Sequence, residues 1–158
     1  MRSIRFKILF PSFLIAMLFM VGCKRSTMYT KAVNIHDAWP KNKAAKFVVP
    51  VTDTLSPYNF YINIRHTGKY RYSNLYLFMQ TRFPNGTFTR DTLEIMLANV
   101  QGKWLGKGWG EIKEDHVLLK PKLRFPMSGN YQFLIWQAMR ADTLKAIRSV
   151  GLDIENVE

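Results

Sequence analysis

The sequence contains one cysteine and few acidic residues. Cys23 is the only cysteine among 158 residues, so an intramolecular disulfide is impossible and a disulfide-stabilised scaffold is excluded. The 11 Asp and Glu residues are outnumbered by 23 Lys and Arg, which gives a formal net charge of +12. A surface this basic suits nucleic acid, anionic lipid headgroups, an acidic polysaccharide or an acidic protein, and charge alone does not choose among them.

Motifs of common catalytic and cofactor sites are also missing. The sequence has no serine elbow, no phosphate-binding glycine loop and no nucleotide fingerprint. The segment Gly102 to Gly110 contains four of the nine glycines in the sequence. It does not connect a strand to the start of a helix, as a phosphate-binding loop would. We therefore expect no enzyme activity and no cofactor.

Candidate metal ligands are scattered or weakly patterned. The three histidines are far apart and lack zinc-site spacing, so we expect them at the surface. One local acidic group could bind a cation, but the absence of a calcium-loop pattern favours a solvated turn and no metal. The histidines are His36, His66 and His116, and the acidic group consists of Glu111, Glu114 and Asp115 with His116.

The N-terminus has the three parts of a secretory signal peptide. Three cations precede an uncharged and mostly apolar stretch from Ile8 to Val21, which ends at Gly22 and Cys23. As a helix rising about 1.5 Å per residue, this stretch would reach about 21 Å, which is short of the roughly 30 Å hydrocarbon core of a bilayer. The pattern therefore favours a cleaved signal peptide over a permanent membrane span.

The end of this segment, Met20-Val21-Gly22-Cys23, resembles the lipobox of bacterial lipoproteins, with Met20 in place of the usual Leu. In that motif a peptidase cleaves before the cysteine, whose thiolate forms a thioether with a diacylglyceryl donor. We predict that residues 1–22 are removed and that acylated Cys23 holds the protein on a lipid bilayer. An uncleaved anchor and a signal without lipidation are the alternatives. No acidic residue follows Cys23 directly, which favours the outer membrane.

The remainder divides into a tether over residues 23–39 and a domain over residues 40–158. The tether is polar and lacks apolar alternation, whereas apolar residues recur with a period of two from Phe47 onward. Short strands without a long amphipathic helix predict an all-β fold, a single antiparallel β-sandwich of immunoglobulin-like or jelly-roll type. The seven or eight predicted strands include Phe47–Val51, Tyr58–Arg65, Leu75–Arg82, a partner from Phe88, Val117–Phe125, Tyr131–Arg140 and Val150–Ile154.

Three local features refine this prediction. Pro84-Asn85-Gly86 predicts a hairpin turn, because Asn-Gly tolerates positive φ. Pro121 cannot donate a ladder hydrogen bond, which predicts an edge position for its strand. Tyr131 to Arg140 has apolar residues on both faces and is predicted to be central, and Asp142 to Arg148 is predicted to form a short helical turn.

The glycine-rich loop carries the candidate contact residues Trp104, Trp109, Lys103 and Lys107. Aromatic rings on loops stack on sugars or anchor partner proteins, and the lysines add positive charge beside them. Burial of the two tryptophans in the core is the competing interpretation. Nucleic acid is not an expected partner, because the signal peptide exports the chain.

Four segments taken together in their order resemble the GldH family of gliding-motility lipoproteins. They are Pro57 to Arg65, Ser73 to Phe78, Gly102 to Gly108 and Gln137 to Arg140. The resemblance implies a non-enzymatic cell-envelope lipoprotein that works with other envelope proteins of the gliding machinery linked to type IX secretion. A surface glycan-binding β-sandwich module is the alternative function.

Overall fold

The computed structural model describes residues 27–157, which form ten strands and no helix. All strand pairs are antiparallel. The strands are β1 Thr27–Asn34, β2 Ala38–Pro40, β3 Ala45–Val51, β4 Tyr58–Thr67, β5 Asn74–Arg82, β6 Phe88–Met96, β7 Ile112–Leu123, β8 Gly129–Gln137, β9 Thr143–Lys145 and β10 Ile147–Asn156.

Two four-stranded sheets pack face to face. The first sheet has the order β1-β10-β4-β7 and the second the order β3-β8-β5-β6, while β2 and β9 form a small separate pair. Alternate residues of β4 and β8 point inward, so that the rings of Phe60 and Phe133 meet at 6.0 Å across the core. The predicted all-β antiparallel sandwich is confirmed.

The sandwich has two ends, which we call the Thr27 end and the loop end. At the Thr27 end lie the start of β1 and the turns 52–57, 83–87 and 124–128. The ring of Phe125 joins the sheets there, 5.6 Å from the ring of Tyr58 and 4.9 Å from that of Tyr131. At the opposite, loop end lie the longer connections 68–73, 97–111 and 138–142.

The turn and edge predictions hold. The 83–87 turn closes with a hydrogen bond from Phe83 N to Thr87 O at 2.9 Å, and Gly86 has a φ of 86°. Strand β7, which contains Pro121, lies at an edge of the first sheet, and β8 lies between β3 and β5. The outer face of β8 is only half-buried, because the strands of residues 27–157 form no third layer over Leu134 and Trp136.

The structure differs from the predicted tether over residues 27–39. Residues 27–34 form β1, which pairs with β10 along its length, and Trp39 in β2 is fully buried, donating from Nε1 to Lys43 O at 2.7 Å. Strand β1 lies at the edge of its sheet and is largely exposed, so its stability comes from backbone pairing and its side chains show little apolar alternation.

The predicted helical turn at Asp142 to Arg148 is also wrong. Residues 143–145 form β9, and β10 begins at Ile147. Ala146 lies between them with a φ of 69°, and this left-handed residue turns the chain so that Leu144 and Ile147 both point inward. Their spacing of three residues therefore imitates the period of a helix.

Replacing Trp39 should test whether the segment before residue 40 is part of the folded domain. We expect Trp39→Ala to lower the free energy of unfolding by about 3–5 kcal/mol, because it removes a fully buried ring. Chemical denaturation measures the change. The matched control Trp109→Ala removes a ring that is 99% exposed and should change stability by about 0.5 kcal/mol or less. Equal effects of both substitutions would contradict the assignment of Trp39 to the core.

Candidate functional site

The connection between β6 and β7, residues 97–111, is an ordered loop. Asn99 builds a tight turn in which its side-chain oxygen accepts from Gln101 N at 3.1 Å and from Lys103 N at 2.9 Å. Isolated antiparallel bridges join Ala98 to Trp104 and Lys107 to Glu114. The loop is therefore tied both to itself and to the start of β7.

The two tryptophans of this loop have different environments. Trp104 is half-buried and packs on the core, with its ring 4.6 Å from the ring of His66. Trp109 is 99% exposed, and Lys103 and Lys107 are exposed as well. The structure therefore separates the candidate residues into an inward ring, Trp104, and an outward group of one ring with two cations.

Beneath Trp104 lies a buried pair that corrects two predictions. His66 was expected at the surface and Asp115 in a solvated turn, but both are buried, with His66 Nε2 3.2 Å from Asp115 Oδ2. His36 and His116 are exposed, as are Glu111 and Glu114. The alternation of β4 carried the missed signal, because His66 follows Tyr58, Phe60, Ile62 and Ile64 on the inward face.

The two ring nitrogens of His66 have different contacts. His66 Nδ1 lies 3.0 Å from the carbonyl oxygen of Thr67, which can only accept, so Nδ1 carries a proton. Nε2 faces the Asp115 carboxyl group on the other side of the ring. The two atoms are not aligned for a good hydrogen bond, and neither has another hydrogen-bond partner among the described residues.

Gly106 lets the loop approach this pair. A Cβ at Gly106 would lie 2.6 Å from Asp115 Oδ2, closer than side-chain carbons approach oxygen. Trp104 covers the histidine from the same loop. The loop thus packs against the pair at Trp104 and Gly106.

Next to this loop is a cleft of about 530 Å³ that sequence reasoning missed. Its walls come from distant segments, the β4–β5 connection and residues 141–148, so no local motif marks it. Tyr70 is buried at one side, where burial raises its pKa, and its hydroxyl donates to Asn74 O. The charged residues lining the cleft are Lys69, Arg71, Lys145 and Arg148 with Asp37 and Glu111, and Arg148 is paired with Asp37.

Two further sequence predictions concern anchoring and metal. Cys23 lies outside the described residues 27–157. Within that range no group of three or more His, Cys, Asp or Glu is arranged to hold a metal ion. The same residues include no helix of the length and hydropathy needed to span a membrane.

Comparison with known proteins decides the family. The sequence profile of the GldH lipoprotein family matches residues 27–154, which is nearly the whole described sandwich. This chain is a member of the GldH lipoprotein family. It is 35% identical over 150 residues to the gliding motility lipoprotein GldH homolog of Christiangramia forsetii, covering 90% of this chain and 92% of that one. It is 31% identical over 149 residues to the gliding motility lipoprotein GldH of Flavobacterium johnsoniae, with the same coverage.

Solved structures add no further identification to this GldH family member. Part of an arabinose-bound α-L-arabinofuranosidase overlaps with it at a TM-score of 0.35 and 11% identity, over 82% of this chain and 22% of that one. No conclusion about fold or function follows from an overlap this weak. Family membership therefore rests on sequence.

Gly106→Ala should loosen the loop, because the added methyl group collides with the Asp115 carboxylate. We expect a loss of about 1–3 kcal/mol in unfolding free energy, measured by thermal or chemical denaturation. Gly68→Ala is the matched control, since a Cβ there would lie 3.9 Å from Trp104 Nε1, an ordinary contact. A loss for Gly68→Ala as large as that for Gly106→Ala would show that the Asp115 contact is not the cause.

Proposed function

We propose that this chain is a non-enzymatic, lipid-anchored component of gliding machinery associated with type IX secretion. Membership of the GldH lipoprotein family carries this proposal, since both relatives are named gliding motility lipoproteins. The lipobox ending at Cys23 supplies the attachment point. Removal of residues 1–22 and acylation of Cys23 would place the chain on a membrane of the cell envelope, in our proposal the outer membrane.

The fold suits a protein that reaches from a membrane toward other proteins. The predicted anchor lies four residues before Thr27, at one end of the sandwich. Strand β4 has ten residues, and at about 3.3 Å per residue it separates the two ends by about 33 Å. Trp109, Lys103 and Lys107 are at the far end, so they would face away from the membrane that holds Cys23.

Lipidation of Cys23 can be tested directly. Wild-type protein labelled with a fatty-acid probe in its native cells should incorporate the label, and Cys23→Ser should not, because a hydroxyl is a much poorer nucleophile than a thiolate. The chain has no other cysteine, so no second thiol can compensate. Label retained in Cys23→Ser would contradict the proposed anchor.

We propose Trp109, with Lys103 and Lys107, as the contact group for an envelope protein partner. A fully exposed indole and two exposed cations in the same loop have the composition of an interface anchor. Trp104 does not belong to this group, because its ring packs inward on His66.

Crosslinked pull-downs from membranes provide the test of this contact. We expect Trp109→Ala to reduce recovery of the wild-type partners by at least about fivefold, as truncation of an interface anchor costs roughly 1 kcal/mol or more. Val100→Ala is the matched control, since this apolar side chain of the same loop is 96% exposed. A loss of partners as large with Val100→Ala as with Trp109→Ala would count against a specific role of the tryptophan.

Glycan binding is the second candidate, and the exposure of Trp109 is the observation that favours it. A stacking platform of Trp104 and Trp109 together is not formed, which leaves one ring to carry the contact. The same Trp109→Ala and Val100→Ala proteins distinguish the candidates on a glycan array. Glycan binding that depends on Trp109, in a protein whose pull-down partners are unchanged, would favour this second function.

A further inference from the structure

We propose that the Thr27 end of the sandwich rests on the phosphate headgroups of an anionic phospholipid bilayer. This inference rests on the proposed acylation of Cys23, and it adds a second contact to the same membrane. The occupant of the surface is the bilayer that would hold the lipid anchor.

The length of the connection brings the two surfaces together. Three residues separate Cys23 from Thr27, and the four residue-to-residue steps between them, at 3.3–3.6 Å each, span at most about 14 Å. Strand β1 pairs with β10 from Thr27 to Asn34, so its start is fixed at one end of the sandwich. A lipid anchor at Cys23 therefore keeps this end within about two Debye lengths of the membrane surface.

The Thr27 end presents cations and apolar side chains together. Strand β7 has a bulge around Pro121, where Lys122 has a φ of 52°. The backbone N–H of Lys122 donates to Asn59 Oδ1 at 3.0 Å. Lys122 and Arg124 are exposed, and no carboxylate pairs with either among residues 27–157. Leu55 is 82% exposed in the neighbouring turn, so this end can contact both phosphates and the region just beneath them.

The carboxylates at this end do not cancel that attraction. Asp53 is held within its own turn, where the Ser56 hydroxyl and the backbone N–H groups of Leu55 and Ser56 lower its pKa to about 2. Asp91 faces Lys120 at 3.8 Å, and Glu155 is half-buried in β10. Asp53 therefore stays ionised and subtracts from the attraction, but the exposed cations Lys122 and Arg124 outnumber it, and positive charge is what anionic lipids attract.

A neighbouring cleft adds apolar surface. It has a volume of about 380 Å³ and includes residues of the edge strands β6 and β7. Lys120 and Arg124 are among its lining residues, together with the rings of Phe60, Phe83, Phe125 and Phe133. Phe60, Phe125 and Phe133 are buried core residues at the base of this cleft, Phe83 is half-buried, and the two cations are exposed. Cations beside apolar surface are the combination used by proteins that bind at the membrane interface.

Vesicle co-sedimentation tests the proposal without the anchor. The chain from residue 23 with Cys23→Ser keeps every core residue, since these lie between Ile35 and Ile154. We expect it to bind vesicles of phosphatidylcholine with phosphatidylglycerol, more weakly as salt rises, and not vesicles of phosphatidylcholine alone. Lys122→Glu with Arg124→Glu should lower the affinity at least about tenfold.

The matched control is Lys69→Glu with Arg71→Glu, which makes the same charge change at exposed positions of the loop end. It should lower the affinity by less than about threefold, because these residues are about 30 Å from the proposed contact. Equal losses in the two double variants, or equal binding to neutral vesicles, would overturn the proposal. Circular dichroism of both variants verifies that they are folded.

A second measurement uses the acylated protein. Leu55→Cys and Val100→Cys each introduce one free thiol for a fluorophore, since the only native cysteine would be a thioether. Lipids carrying a headgroup quencher should quench the label at residue 55 and leave the label at residue 100 bright. The opposite pattern, or equal quenching of both labels, would overturn the proposed orientation. Missing acylation in the fatty-acid probe experiment would refute the anchor, but the vesicle result would still test the basic surface.

Discussion

The antiparallel pairing of β1 with β10 sets the orientation of the whole molecule. Strand β1 is polar and exposed, yet its backbone joins the chain's first described residues to the last strand of the sandwich. The pairing decides which turns lie beside the predicted anchor and which lie opposite. Everything proposed about the two ends, the basic one at Lys122 and Arg124 and the aromatic one at Trp109, follows from this single register.

The loop end depends on a different interaction, the burial of His66 against Asp115. Burial of an ionisable pair costs desolvation free energy, which the packing of the surrounding chain has to offset. Trp104 and Gly106 provide part of that packing from the loop 97–111. The loop is therefore long and rich in glycine and is still packed against the sandwich at these two residues.

Much of the fold was predictable from the period of two in the apolar residues, because inward positions of β4, β5, β8 and β10 are strongly apolar. The pattern failed where backbone pairing or a left-handed residue, and not apolar alternation, determines the structure. Strand β1 pairs through its backbone, and Ala146 spaces Leu144 and Ile147 like residues of a helix. At the site, sequence identified the loop and its tryptophans but not their opposite directions. The charged cleft could not be predicted because its walls come from distant segments.

The direction of β1 also determines how the domain would bear mechanical load. A pull applied between Cys23 and the loop end runs along the strand, parallel to its axis, and so stresses the hydrogen bonds to β10 together. A pull across the strand would instead open the same bonds one after another. An attachment at the start of β1 thus gives this small sandwich a shear geometry, the arrangement in which a β-sheet best resists extension.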